Sequence, residues 1–535
     1  MRRLIDVEQA KQILSDVKID WDVRRLPVHL AIGRVVAETV YSAINIPPFR
    51  RSTRDGFAVM SDDVSRADEQ NPVLLRIAGK IEAGTFPSVK LEPGKAIEIA
   101  TGAAMPENAD AVVMVEDTAV RDGVVYVKKP VRPNENVMQE GSDVVIGETL
   151  VSSGEILDTL KAGLVAGAGI DEVSVREMKI GIISTGDELL LPGEPIEPGK
   201  IYDVNSFTLY SELKKLGATP VFFGIAGDSE GEMLDKLKKA LKECHAVITS
   251  GSTSAGKGDI LYRVVEVYGE MIFHGVRIKP GKPFFFGIMD KKPVFGLPGF
   301  PTSCLTIFME FVADVIARNL GYRLEKTVTK GKLVKRIFSE GRRELMPVIV
   351  VRNRIFPVEK GSGAITSLSE ASGYIEIEEG EEIIERGSER EVTVFGTIHD
   401  IAVGGLDVSE LVSWSGKVKR LITDPELARL EFSRENLDAV FYLDDSYFIP
   451  YGFFGEDGRT GAVKGYGIKA DVYAKSHQQL LNMIELGAVD GGYFLEPFAS
   501  KLGIEVQIIG ELGIGFEAVR EFERIIGDHL KRFKK

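Results

Sequence analysis

The chain runs to 535 residues, 44% apolar and 27% charged, with a formal net charge of −14, the composition of a globular protein with room for several domains. No apolar run approaches the roughly 20 residues that cross a bilayer, and the negative balance opposes a general nucleic-acid or anionic-membrane surface, since both need clustered positive charge. Cys244 and Cys304 stand far apart without ligand-spaced histidines, which disfavours a disulfide framework, a zinc site or a redox pair and makes each a small buried hydrophobe. The N-terminal arginines are followed at once by acidic residues rather than an apolar stretch, so no signal peptide is expected and the protein is placed in the cytoplasm. Few Asn and Gln beside many Glu and Lys lean toward a heat-adapted source.

Along residues 3–20, Leu4, Val7, Ala10, Ile13, Leu14 and Val17 recur at helical spacing, predicting an amphipathic helix. After "NIPPFRRS", short runs such as "VLLRIAG", "AIEIATG", "ADAVVMVED" and "DGVVYVKKPV" read as strands of a small β-rich module. "LDTLKAGLVAGAG" restores helical periodicity, so helices on either side of the module are expected to pack together and leave it as an insertion. From Met178 apolar runs alternate with helices: "KIGIIS", "DVNSFTLYSELKKLG", "TPVFFGIAGD", "GEMLDKLKKALKE", "HAVITS", "DILYRVVEVYG", "KPVFGLPG" and "PTSCLTIFMEFVADVIARNLG". That alternation predicts a doubly wound parallel sheet. Residues 328–398 return to strand signals and suit a small barrel, and about 130 further residues suit one more α/β domain.

Gly-rich or acidic loops follow the predicted strands: "STGDEL", "GIAGD", "SGSTSAGKGD" and "GLPGFPTS". In an open α/β sheet such ends converge on one crevice, which gathers Asp187, Glu188, Asp228 and Asp259. Oxygen donors in that number suit Mg²⁺ with a phosphate-bearing ligand, although each alone is equally consistent with helix capping or a turn. The eight residues "GSTSAGKG" match a nucleotide phosphate loop at every position but the last, where Gly258 replaces the hydroxyl that holds Mg²⁺. The loop still forms an anion nest at a helix start, with Ser250, Gly251, Ser254 and Gly256 offering hydroxyls and backbone N–H groups. Lys279 and Lys282 flank a Pro-Gly turn and suit a phosphate or oxyanion; solvated lysines at a strand edge are the competing reading.

Taken in order, "PPFRRSTRDGFAV", "TGAAMPENADAVV", "GSDV", "STGDEL", "YDVNSFTL", "SGSTSAGKGD", "IKPGKPFFFG" and "GLPGFPTS" across residues 1–398 resemble the molybdopterin molybdenumtransferase family, called MoeA in bacteria and archaea and present as the E domain of gephyrin. The resemblance implies a homodimeric transferase that takes adenylylated molybdopterin and molybdate, or tungstate, and releases AMP with Mg²⁺. It implies an elongated multidomain α/β plus β fold: residues 1–44 and 139–177 a helical linking domain, 45–138 a β-rich insertion, 178–327 the molybdopterin-binding α/β domain, and 328–398 a β barrel. It carries Glu188, Asp228 and Asp259 over as metal ligands, and Thr185, Gly186, Asp187, Ser250, Gly251, Ser254, Gly256, Lys279, Lys282, Pro298 and Pro301 as substrate-binding residues. Asp55, Thr101 and Asp143 join the catalytic set from the insertion and its border, facing the crevice of the other subunit. A molybdopterin adenylyltransferase is an implied partner; nucleic acid and membrane are not.

Three features depart from the family pattern. Ser252 stands where a second glycine is usual, Asn108 where another glycine is usual, and Arg50, Arg51 and Arg54 make the stretch before Asp55 unusually basic, with oxyanion contacts as their expected use. Residues 403–535 lie outside the family core. Their stretch "NMIELGAVDGGYFLEPFASKLGIEVQIIGE" looks like part of a periplasmic-binding-protein-like domain but is shorter than a full two-lobed one, so a molybdate- or tungstate-binding role and a structural appendage stay open. A gephyrin-like scaffold without catalysis is the alternative to the enzyme. A phosphate-loop NTPase fails on Gly258.

Overall fold

The computed structural model describes residues 4–251, 260–358 and 363–405 throughout, and beyond 405 shorter stretches that include the strands named below with Leu437 and Asp438. The first helix spans Val7–Ser15 and buries Val7, Ala10 and Leu14, shorter than its periodicity predicts. Tightened turns at Asp16 and Val17, whose N–H groups donate to the Ile13 and Leu14 carbonyls, end it. The chain then enters the strand Asp22–Pro27, paired antiparallel with Glu172–Glu177 on the return from the insertion. Packing differs from the sequence expectation: Val7, Ala10 and Leu14 join the core of the α/β domain, whereas Ala31, Val36, Val144, Leu157, Ala162 and Val165 form a separate core where the chain leaves and re-enters.

The insertion is a six-stranded sheet in the order Ala111–Met114, Gly56–Val59, Lys95–Ile99, Val73–Ile81, Val124–Val127, Thr118–Arg121. The Gly56–Val59 strand lies within "TRDGFAV", which reads as a turn in sequence. It pairs on both sides, with Lys95–Ile99 and Ala111–Met114. Glycine at 56 permits this, because a Cβ there would sit 1.9 Å from the Val113 carbonyl oxygen.

The central sheet has the order Thr219–Ala226, Lys179–Thr185, Ala246–Ser250, Lys292–Leu297, Phe285–Met289, Glu270–His274. Four neighbours run parallel, and the last two strands complete an antiparallel edge. The sheet is therefore mixed rather than wholly parallel, a common arrangement in doubly wound folds. Both faces are covered, which explains the unbroken apolar runs: Ile180, Ile182, Ile248 and Phe295 pack toward the helices Asn205–Lys215 and Pro301–Ile307. Ile183, Val247 and Val294 pack toward the helices Glu230–Glu243 and Ile260–Tyr268.

A five-stranded closed barrel follows, from Val328–Leu333, Arg354–Pro357, Glu344–Val351, Gly373–Ile377 and Glu389–Val394. Its join to the rest centres on Glu310, buried within a π-helical turn at Phe308–Val312. Lys11 of the first helix stands 2.5 Å from that carboxylate and Lys326 of the linker 2.8 Å, and the barrel's Tyr374 hydroxyl donates to it at 2.7 Å.

Beyond the barrel, one long strand, Ala439–Gly455, serves two half-sheets. Its first part pairs parallel with Ile401–Gly405, which pairs parallel with Val418–Ile422. Its second part pairs antiparallel with Gly491–Leu495, which continues parallel to Thr460–Val463 and then Val472–Ala474. The strand Gln507–Ala518 returns antiparallel along most of its length. Each half-sheet thus has the same order, second, first, third, then a strand arriving from the other half. The first half is tied to the barrel: Asp438 pairs with Arg354 at 2.5 Å and accepts the Ala402 N–H at 2.7 Å, beside a shared core of Val334, Ile349, Val351, Ala402 and Leu437.

Candidate active site

The carboxyl ends of the parallel strands Lys179–Thr185, Ala246–Ser250 and Lys292–Leu297 meet at one edge, where hydroxyls bond across them. Ser184 Oγ lies 2.7 Å from Ser206 Oγ and 3.2 Å from Ser250 Oγ, and Thr185 Oγ1 donates to the Ser250 carbonyl at 3.0 Å. Gly251 turns the chain out of its strand with φ +92°, and a Cβ there would lie 2.4 Å from the Thr185 carbonyl oxygen. Gly251→Ala is therefore expected to lose about 2–4 kcal/mol, from backbone strain plus a backbone clash. An unchanged urea midpoint would show that the loop does not need this close approach.

A cavity of about 980 Å³ opens here, lined among others by Thr185, Gly186, Glu188, Asp228, Ser250 and Gly251. Lys279, Lys282, Pro298 and Pro301 also line it, so the crevice gathers most of the sequence-predicted binding residues within its described part. Asp187 serves the loop instead, its carboxylate accepting the Asp228 N–H at 2.9 Å and its carbonyl accepting from Lys200. A Cβ at Gly186 would meet the Glu188 carboxylate at 2.4 Å, so glycine there lets that side chain fold back. Lys279 faces Glu344 at 3.4 Å and Glu340 at 3.7 Å, and its backbone bridges to Arg343 and Leu345 of the barrel. Lys282 is exposed. Pro301 opens its helix at the first position, where a missing N–H costs nothing. Ser254, Gly256 and Asp259, together with Ser252 and Gly258, lie outside the described residues.

The barrel supplies residues that the strand-end reading misses: Arg342, Gly363 and Ile365 line the same cavity, and no local pattern in sequence marks them. Asp203 and Asn205 line it too; their signal was available in "YDVNSFTL".

In the insertion, Asp55 accepts the Thr101 N–H at 2.8 Å, and both residues, like Asp143, are exposed. The fold brings Asp55 and Thr101 together, but none of the three lines the cavity of its own chain. Arg50 and Arg51 are engaged internally, with the Ala109 carbonyl at 2.7 Å and Met138 Sδ at 3.3 Å. Each guanidinium thus makes a contact within the insertion that uses one of its five N–H donors. Asn108 adopts φ +74°, the left-handed conformation that asparagine tolerates in place of glycine.

Among the described residues no three Asp, Glu, His or Cys side chains are close enough to hold a metal ion. Glu188 and Asp228, both exposed, are hard oxygen donors of the kind Mg²⁺ prefers, and the third expected donor, Asp259, lies outside the described residues. Cys244 and Cys304 are unpaired and buried; burial pushes the Cys244 thiol up to about 11 and raises that of Cys304 as well, so both are unreactive as thiolates.

An inserted β sheet, a crevice at parallel strand ends and a barrel closing its side define a multidomain α/β protein with a small-ligand site. Family models match three successive parts: the MoeA N-terminal region (domain I and II) over residues 5–169, a "Probable molybdopterin binding domain" over 181–318, and the MoeA C-terminal region (domain IV) over 330–395. The molybdopterin molybdenumtransferase of Haemophilus influenzae is 36% identical over 324 residues, covering 60% of this chain and 79% of the relative. That of Bacillus subtilis is 32% identical over 321 residues, 59% and 75%. The crystal structure of the molybdopterin biosynthesis MoeA protein of Pyrococcus horikoshii superposes with a TM-score of 0.65 at 38% identity, over 73% of this chain and 99% of that one. The chain belongs to the MoeA family of molybdopterin molybdenumtransferases.

Proposed function

We propose that the protein inserts molybdenum from molybdate, or tungsten from tungstate, into adenylylated molybdopterin with release of AMP, in molybdenum cofactor biosynthesis. The observation that carries this is the cavity at the parallel strand ends, where Glu188 and Asp228 share one space with Lys279, Lys282 and Arg342. Carboxylates and cations together suit a ligand with a phosphoanhydride and an oxyanion. Mg²⁺ held by Glu188, Asp228 and Asp259 would neutralise charge developing on the phosphoanhydride. Lys279 and Lys282 orient and offset the anionic groups. Since Asp55, Thr101 and Asp143 do not line the cavity of their own chain, a homodimer in which one insertion faces the other crevice completes the catalytic set. Exposure of all three supports that reading, and a cytoplasmic molybdopterin adenylyltransferase is the partner that would supply substrate.

The test is reconstitution with purified protein, Mg²⁺, molybdate or tungstate, and adenylylated molybdopterin. One AMP released per metal inserted is the expected result; metal insertion without AMP, or neither, overturns the proposal. The intact carboxylates at 188, 228 and 259 favour it over a gephyrin-like scaffold.

For residues 403–535 the doubled strand order supports a two-lobed binding domain, with both sets of parallel strand ends facing the middle of Ala439–Gly455. Ligands bind outside such ends in open sheets. Isothermal titration of the full chain with molybdate and tungstate is expected to show a saturable event that persists in an Asp228→Ala protein. Absence of that event with both oxyanions leaves the segment a structural appendage.

A further inference from the structure

Apolar side chains in the cavity are left open to solvent. Phe300 lines it and is 63% exposed, and Ile196, Ile201 and Ile365, which also line it, are 61%, 57% and 57% exposed. Single exposed apolar residues on a convex surface are ordinary, but several sharing one concave site mark surface that a ligand covers. The backbone at Phe300 is fixed on both sides. It caps the start of the Pro301–Ile307 helix, and its carbonyl accepts the Cys304 N–H at 2.8 Å. The preceding Gly299 accepts from Asn205 Nδ2 at 2.7 Å and packs so closely that a Cβ on it would lie 3.3 Å from Gly251 Cα. From the barrel side, a Cβ at Gly363 would stand 3.6 Å from Phe300 Cδ1 and Cε1, so the barrel approaches one edge of the ring with a residue that has no side chain to cover it.

We infer that Phe300 is the platform on which a flat heteroaromatic ring of the substrate stacks. The inference rests on the molybdopterin-transferase reading and names the residue that holds the ring. Adenylylated molybdopterin carries two such rings, pterin and adenine, and each presents a π-face that an aromatic side chain accepts whatever the donors and acceptors at the ring edge. Two aromatic residues line the cavity, Phe300 and Tyr202, and Phe300 is the more exposed, 63% against 39%. The isoleucines add apolar contact but have no π-face. Lys279, Lys282 and Arg342 in the same cavity suit the phosphates of the molecule, so one ligand meets both the cations and the apolar surface.

The test uses the full-length protein with Mg²⁺ and three probes, 6-hydroxymethylpterin followed by its fluorescence, and AMP and pyrophosphate by calorimetry. Phe300→Ala is expected to weaken at least one ring-bearing probe about tenfold or more while leaving pyrophosphate, which has no ring, within about twofold of wild type. Loss confined to 6-hydroxymethylpterin places the pterin on Phe300, loss confined to AMP places the adenine there, and loss of both gives them one shared platform. Phe300→Tyr keeps the ring and is expected to hold both affinities within about threefold of wild type. If Phe300→Ala does not fold, Phe300→Leu keeps apolar volume without a π-face and tests the same contact. Ring affinities unchanged in Phe300→Ala, pyrophosphate weakened equally, Phe300→Tyr as weak as Phe300→Ala, or a wild-type protein that takes up neither ring each overturns the inference. The two readings separate: ring binding that depends on Phe300 in a protein without AMP-coupled insertion would sink the transferase reading alone, and AMP-coupled insertion with ring affinities indifferent to Phe300 would sink this one alone.

Discussion

A protein carrying Asp228→Ala is expected to remain folded and to lose metal insertion and AMP release by about a hundred- to a thousandfold, the range seen when one preorganised electrostatic group is removed from a catalytic site. Folding is spared because Asp228 is exposed at the end of its strand, and exposed substitutions change stability by about 0.5 kcal/mol or less. Asp259→Ala is expected to behave the same way. The measurement is single-turnover AMP release alongside the thermal midpoint. Wild-type turnover in either purified variant removes that carboxylate from the metal set, while loss of the fold would mean that it serves the loop and not the chemistry.

The second large effect concerns stability. Glu310→Gln removes the charge that faces Lys11 and Lys326 and accepts from Tyr374, and is expected to cost about 1.5–3 kcal/mol, the worth of a hydrogen bond to a charged group, because both lysines are partly solvated. Burial works against ionisation of Glu310, but the two lysines outweigh it and hold its carboxyl below the usual range. A pKa lowered by folding stabilises the protein fully above the unfolded carboxylate value, and that contribution is lost as pH falls through the folded value. The gap in urea midpoint between wild type and Glu310→Gln should therefore be widest at neutral pH and close on acidification. A gap that is constant with pH would assign the loss to packing alone. The first helix, the α/β domain and the barrel meet at this carboxylate, so the barrel's position beside the crevice depends on it.

Much of this architecture is carried by local signals. Apolar runs covered on both faces, such as "KIGIIS" and "HAVITS", announce buried parallel strands, and the Gly-rich loops after them announce the crevice. The order of motifs from "PPFRRSTRDGFAV" to "GLPGFPTS" suffices to place the chain in its family. Both cysteines are buried and unpaired, as their isolation implies. These features are legible because burial period, turn chemistry and motif order are properties of neighbouring residues.

Contacts between distant segments are decided only in three dimensions. That Gly56 is a strand residue depends on how closely Val113 approaches it, 57 positions away in the chain by the numbering. Arg50 and Arg51 look free in sequence but meet Ala109 and Met138, and Arg342 reaches the cavity because the barrel docks beside the Lys279 turn. The half-sheets beyond residue 400 repeat one strand order, although no sequence repeat announces it. Asp203 and Asn205 belong to a quoted motif, yet what their side chains bond, Ser206 and Gly299, is settled only by the fold. Local sequence carries most of the elements, the loops and the family; tertiary packing decides which distant groups those loops bond, because hydrogen-bond satisfaction is a property of the whole fold rather than of any local stretch.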